Sequence, residues 1–279
     1  MDCFVAFRRR QGFGGPPELQ PRLVVLDLFF TQVTLGVVSG VPRFVLPVRE
    51  SIKATPRTRI ITLDLTGQPF SFAAGQAVYA GLAEGTVRRP YSIASSPSYA
   101  RTTGTLELLV QIDDHEGPDP HLERAVPGTL LRIDGPMGAF GLPEELAERH
   151  LLFIAGGTGI APLRSMMWET LATRADIDIS LIYSARSPEE FAYRDQLAAL
   201  ATDGRIELRL TITRDPGTDW SGGRGRADEA LIRSMLKSPE TRCLICGPPA
   251  LIADAAKTLR SAGVPDRLIV SEQPVISDQ

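Results

Sequence analysis

Two short stretches of this chain combine residue types that could do chemistry. The first is Ile154-Ala155-Gly156-Gly157-Thr158-Gly159-Ile160-Ala161-Pro162-Leu163. A short apolar run leads into it, as a buried parallel strand would. Apolar residues at helical spacing follow from Leu163 to Leu171. Glycines let a ligand approach the backbone, and the helix start offers N–H groups and a positive dipole end. Such a turn is a place for a phosphate, although the same glycines could simply connect a strand to a helix. The second stretch is Arg89-Pro90-Tyr91-Ser92. On a strand, Arg89 and Tyr91 share a face. A guanidinium can grip a pyrophosphate by paired hydrogen bonds, and a tyrosine ring can stack on a flat ligand. The plain alternative is an edge-strand arginine packed on a tyrosine.

The elements that must position these stretches divide into two rhythms. Strands are expected at 44–53, 57–65, 76–82, 89–94, 105–112 and 129–133, separated by glycine and proline signals. Regular short strands without a long helix suggest a six-stranded antiparallel barrel. From His150 the pattern alternates. Strands at 150–155, 177–184, 206–213, 242–246 and 267–270 interleave with helices at 161–173, 188–201, 227–236 and 249–262. That alternation predicts an α/β unit with a five-stranded parallel sheet covered on both faces. The expected division is an appended segment 1–41, a barrel at 42–145 and an α/β domain at 146–279.

Composition limits the function classes. The 279 residues, 43% hydrophobic, suffice for two cores. A net charge of −3 gives no bulk attraction to nucleic acid. Three cysteines are too few for a disulfide framework and suit a reducing, cytoplasmic setting. Leu23 to Val38 is apolar but interrupted by Asp27 and short for a membrane helix, so membrane association is a minor expectation. Arg8-Arg9-Arg10 precedes it without a clear cleavage site. No cluster has metal-ligand spacing, and His115, His121 and His150 read as isolated surface residues. Gly-x-Ser-x-Gly is absent, which removes the simplest hydrolase reading. Trp168 reads as core packing and Trp220 as surface packing. Cys243 and Cys246 form Cys-x-x-Cys, but a three-residue step along a strand points the thiols to opposite faces, so Cys243 is expected in the core.

Arg89-Pro90-Tyr91-Ser92, then Gly156-Gly157-Thr158-Gly159-Ile160-Ala161-Pro162-Leu163, then Cys246-Gly247-Pro248-Pro249 resembles, in order and spacing, the ferredoxin–NADP reductase superfamily of flavoprotein reductases. The resemblance covers roughly Phe44 to Gln273. It implies that the barrel holds FAD. Arg89 would bind the flavin pyrophosphate, Tyr91 would stack on the isoalloxazine, and Ser92 would lie near its reactive nitrogen. Gly75-Gln76 matches the usual entry to the preceding strand. At the second phosphate element this chain has Asp119-Pro120, where a carboxylate is repulsive and an N–H is missing, so FMN or a loosely held flavin stays open.

The resemblance also implies that Gly156, Gly157, Thr158 and Gly159 approach the pyridine nucleotide. Cys246, Gly247 and Pro248 would lie beside the nicotinamide, and Glu272 matches a carboxylate near the flavin. Pro274 stands where the family often has an aromatic residue. Arg186, Arg214 and Arg226 resemble the three-arginine 2′-phosphate clamp of bacterial members, which favours NADPH with NAD possible; each arginine alone could simply be solvated. The implied activity is hydride transfer from NADPH to FAD, with Ser92, Cys246 and Glu272 as the catalytic set. Electrons would pass on to an acceptor such as ferredoxin or flavodoxin. The alternatives are a reductase subunit of a multicomponent oxygenase or dehydrogenase, and a non-catalytic nucleotide-binding module of the same fold.

Overall fold

A computed structural model describes residues 41–112, 122–214, 217 and 219–272. The 1–41 segment, apart from its last residue, lies outside the described residues, as do His115, Asp119, Pro120, His121 and Pro274.

The first sheet contains β1 (Arg43–Thr55), β2 (Thr58–Asp64), β3 (Ala77–Leu82), β4 (Arg89–Ser92), β5 (Thr105–Gln111) and β6 (Leu130–Met137). Its order is β4-β3-β6-β1-β2-β5, antiparallel at each pairing. Beyond β4, Ile93 bridges Leu108 of β5 and closes the sheet into a barrel. Alternation fills the inside: Leu46, Val48, Ile61, Leu63, Val78, Ala80, Leu106, Leu108, Leu131 and Ile133 are all buried in one cluster. Helix α1 (Pro97–Thr103) joins β4 to β5. Its signals are plain: Ser96 accepts from the Tyr99 N–H, Pro97 opens the first turn, and left-handed Gly104 closes it.

The second sheet has six parallel strands rather than the five expected: β7 (His150–Gly156), β8 (Asp178–Ala185), β9 (Glu207–Ile212), β10 (Gly223–Arg224), β11 (Arg242–Cys246) and β12 (Ile269–Glu272), in the order β10-β9-β8-β7-β11-β12. β10 is two residues flanked by glycines, too short to show a period. The Thr211 hydroxyl donates to the Gly225 carbonyl beside it. Four helices cover this sheet: α2 (Ile160–Thr173), α3 (Arg194–Thr202), α4 (Glu229–Met235) and α5 (Pro249–Ser261). β7 feeds both faces. Leu151, Phe153 and Ala155 pack with α2 and α3, whereas Leu152 and Ile154 pack with α4 and α5.

The helix expected at 188–201 is broken. Pro188–Glu190 form a 3-10 turn, Phe191 is extended, and Tyr193 is left-handed at φ 59° before α3 begins. A non-glycine residue in that conformation costs about 1 kcal/mol. Burial of Phe191, Ala192 and Tyr193 against the sheet outweighs helix propensity.

The cluster between barrel and sheet is continuous. Ala94, Leu109 and Phe140 from the barrel side belong to the same buried cluster as Leu163, Met166, Tyr183 and Cys246 from the other. Arg164 of α2, only 5% exposed, crosses this seam. Its Nη1 donates to the Ala94 carbonyl (2.7 Å) and to Glu107 Oε2 (2.9 Å). Its Nε and Nη2 donate to Gln196 Oε1 (3.3 and 2.9 Å). The guanidinium also lies over the rings of Tyr193 (4.2 Å) and Trp168 (4.7 Å). Ser165 Oγ donates to the Ser95 carbonyl, and Glu169 accepts from the Ser98 backbone and hydroxyl.

His150 is not a surface residue. It is 6% exposed, and its two ring nitrogens sit 2.9 Å from the Thr241 and Ser180 hydroxyls. Burial pushes its pKa down to about 4, with Lys237 adding to the shift and Asp178 opposing it. Trp220 is likewise buried, at 8% exposure, stacked on Phe191. Trp168 is half-buried against the seam cluster.

Candidate active site

The carboxyl ends of β7, β11 and β12 form the floor of the candidate site. Cys246 pairs with Ala155 on one side and Glu272 on the other. Gly156, Gly157, Thr158 and Gly159 lead from β7 into α2, whose first turn carries no side-chain cap. Two of these glycines serve packing. A Cβ at Gly156 would lie 2.7 Å from Pro248 Cδ, and one at Gly159 would collide with the Cys246 carbonyl. A Cβ at Gly247 would lie 3.0 Å from the Gly156 backbone. The two loops are therefore pressed together, and only glycine permits it. Gly157 differs: it is exposed, left-handed at φ 55°, and nothing lies within 4 Å of where its Cβ would be. An open glycine before an uncapped fourteen-residue helix fits a dinucleotide pyrophosphate.

Across the seam, β4 holds Arg89, Pro90, Tyr91 and Ser92, all half-buried, in register with Ala80, Tyr79, Val78 and Ala77. Tyr91 packs against the barrel core. Two residues beyond Ser92, Ala94 belongs to the same packed cluster as Cys246. The barrel motif and the sheet motif thus meet at one seam.

Cys246 has no exposed surface. It is a buried thiol at the end of β11. Burial, with Glu272 adding to it, pushes its pKa well up. It is an uncharged, polarizable group and not a thiolate nucleophile. Cys243 lies in the α4/α5 cluster on the opposite face, pushed up to about 12 by burial, so the pair forms no dithiol. Burial raises the Glu272 carboxyl to about 7, and its Oε2 is buried without a hydrogen-bond partner among the described residues. An orphaned buried oxygen at the seam fits a polar cofactor edge that would meet it.

Arg186 and Arg214 follow β8 and β9, both exposed, with the Arg214 N–H donating to the Arg186 carbonyl at 2.7 Å. Arg226 follows β10, two residues beyond Arg224, which pairs with Ile212 of β9. Its guanidinium sits 3.9 Å from exposed Asp254 on α5. Sequence reasoning missed Arg164, Glu107, Tyr183 and Trp220. For Arg164 a signal existed, a lone cation inside the apolar helix face Leu163–Met167.

An oxidoreductase FAD-binding domain matches residues 45–141, and an oxidoreductase NAD-binding domain matches residues 153–257. Ferredoxin–NADP reductase B of Sorangium cellulosum is 34% identical over 217 residues, covering 74% of this chain and 87% of that protein. The chain belongs to the ferredoxin–NADP reductase superfamily. As a member of it, the protein is an FAD-dependent NAD(P)H oxidoreductase. NADH-cytochrome b5 reductase 1 of Laccaria bicolor is 29% identical, covering 78% of this chain and 73% of that one. A Neisseria gonorrhoeae ferredoxin NADP+ reductase, solved with FAD and NADP bound, superposes with a TM-score of 0.69 at 26% identity, covering 83% and 98% of the two chains. The ferredoxin reductase in carbazole 1,9a-dioxygenase shares the fold, with a TM-score of 0.73 at 22% identity and coverage of 84% and 69%. Among the described residues no helix is long and apolar enough to cross a membrane, and no group of three metal-ligating side chains is present.

Proposed function

We propose that this chain, divided at 42–145 and 146–279, takes electrons from NADPH and hands them to a small redox protein such as ferredoxin or flavodoxin. The observation that carries this reading is the seam cluster that contains both Ala94, beside the barrel motif, and Cys246, beside the nucleotide turn. When bound, the two cofactors supply hydride transfer from the nicotinamide to the flavin. The chain supplies position and electrostatics. Arg89 offers its charge to the flavin pyrophosphate, Tyr91 gives a ring face, and Ser92 a hydroxyl. Gly157, Thr158 and the start of α2 receive the nucleotide pyrophosphate, while Gly156, Gly159, Gly247 and Pro248 shape the floor. Buried Cys246 presents an uncharged side, and Glu272, poised near 7, holds or yields a proton at its carboxyl.

NADPH is preferred over NADH on account of Arg186, Arg214 and Arg226 at three neighbouring strand ends. The acceptor is proposed by analogy with the Sorangium and Neisseria reductases named above; the carbazole dioxygenase component keeps an oxygenase partner as the second reading. The test is a visible spectrum of the purified protein followed by anaerobic titration with NADPH. The expected result is a flavin band near ~450 nm that bleaches with NADPH. Electrons should then pass to ferricyanide and, faster, to ferredoxin or flavodoxin. A colourless protein that takes up no added FAD would refute it.

A further inference from the structure

The two phosphate-facing ends of the nucleotide site are joined beneath the surface. Tyr183 of β8 is fully buried. Its hydroxyl donates to the Gly157 carbonyl (3.1 Å) and accepts from the Ala192 N–H (3.2 Å). In a trans peptide the carbonyl and the next N–H point opposite ways. Drawing the Gly157 carbonyl inward therefore turns the Thr158 N–H outward, toward the open side of the turn. The Tyr183 ring meets Phe191 edge-on at 5.0 Å, and Phe191 stacks on Trp220 at 5.5 Å and 18°. Trp220 Nε1 then donates to the Gly223 carbonyl at 2.9 Å. The approach is close enough that a Cβ at Gly222 would collide with the indole. Gly223 opens the β10 loop that carries Arg224 and Arg226. A chain of three rings thus has one hydrogen bond at the pyrophosphate turn and another at the arginine loop.

We propose that Tyr183, Phe191 and Trp220 are positioning residues that set nucleotide affinity and choice. Tyr183 holds the turn that both nucleotides share. Trp220 holds the loop that meets only the 2′-phosphate. This rests on the reading that turn 156–159 and the three arginines receive the nucleotide.

The experiment titrates FAD-loaded protein with NADP+ and with NAD+ by calorimetry, and follows amide hydrogen exchange in the absence of nucleotide. Tyr183→Phe keeps the ring and deletes one hydroxyl. It should weaken both nucleotides alike, by about three- to tenfold, the worth of one hydrogen bond. Trp220→Phe keeps a ring and deletes the donor. It should weaken NADP+ by about three- to tenfold and leave NAD+ within about twofold. Exchange should quicken at 156–160 in the first variant and at 222–226 in the second. A merely structural role predicts lower melting temperatures with both affinities unchanged in Tyr183→Phe and NADP+ affinity unchanged in Trp220→Phe. That outcome, or equal effects of Trp220→Phe on both nucleotides, would overturn the proposal. Arg186→Ala tests the underlying reading separately: if it leaves NADP+ affinity intact, the arginine clamp fails whatever the aromatic variants do.

Discussion

Arg164→Met removes the guanidinium that crosses the seam while keeping an unbranched side chain in its place. The loss can be worked from its contacts. Glu107, 13% exposed at its side chain, would keep a carboxylate without its partner, and breaking such a buried pair costs about 3–5 kcal/mol. The Ala94 carbonyl loses one donor and Gln196 Oε1 loses two, at about 1 kcal/mol apiece. The ring contacts with Tyr193 and Trp168 add up to about 2 kcal/mol. These contributions overlap, so about 4 kcal/mol is the expected total. For a chain of this size that lowers Tm by roughly 8–16 °C. Adding Glu107→Leu removes the stranded charge and should recover about 2 kcal/mol. The assay is thermal and urea unfolding of the four proteins in that cycle, all loaded with FAD. An Arg164→Met protein within about 1 kcal/mol of wild type, or a coupling near zero, would refute the view that this arginine fastens the seam.

Tyr91→Ala should loosen flavin: about 1–2 kcal/mol of ring contact corresponds to roughly tenfold weaker retention, measured by fluorescence of released flavin on dilution. His150 is held neutral down to about 4, against an ordinary value of 6.5. Its contribution is therefore intact above 6.5 and is lost as pH falls toward 4, a loss of about 3 kcal/mol. His150→Gln should lack that slope in urea unfolding between pH 7 and 4.5; an unchanged slope would contradict it. Glu272 has the opposite sign. Its carboxyl is raised to about 7, so stability falls as pH rises from 4.5 through 7. Glu272→Gln should gain on wild type at pH 8 relative to pH 5, and its turnover profile should lose the inflection near 7.

Periodicity made most strands and helices legible because half-buried sheets impose it. It failed where tertiary contacts overrode local preference. Phe191-Ala192-Tyr193 sits inside a helical pattern, yet the chain breaks there to bury two rings. β10 is held by the hydroxyl of Thr211, fourteen residues from its Gly225 acceptor, and by the indole of Trp220 three residues before Gly223, and neither contact belongs to a strand or helix period. In the candidate site, glycines and motif residues could be named in advance because their types are unusual. Their supports could not. Tyr183 lies in an apolar strand like any core residue, and its hydroxyl bonds to Gly157 and Ala192 distinguish it. His150 and Trp220 are buried against expectation because residue type alone does not tell which loop or strand end the fold will cover.

The apolar seam also bears on how this protein can be taken apart. Leu109, Phe140 and Ala94 on one half, and Met166 and Leu163 on the other, are buried in one cluster that both halves share. Cut between Pro143 and Arg149, each fragment would carry a greasy flank into solvent and tend to clump. Chimeras that graft the barrel of one reductase onto the sheet of another must carry Glu107, Arg164 and their neighbours across as a set. The two halves have separate tasks but are not interchangeable parts.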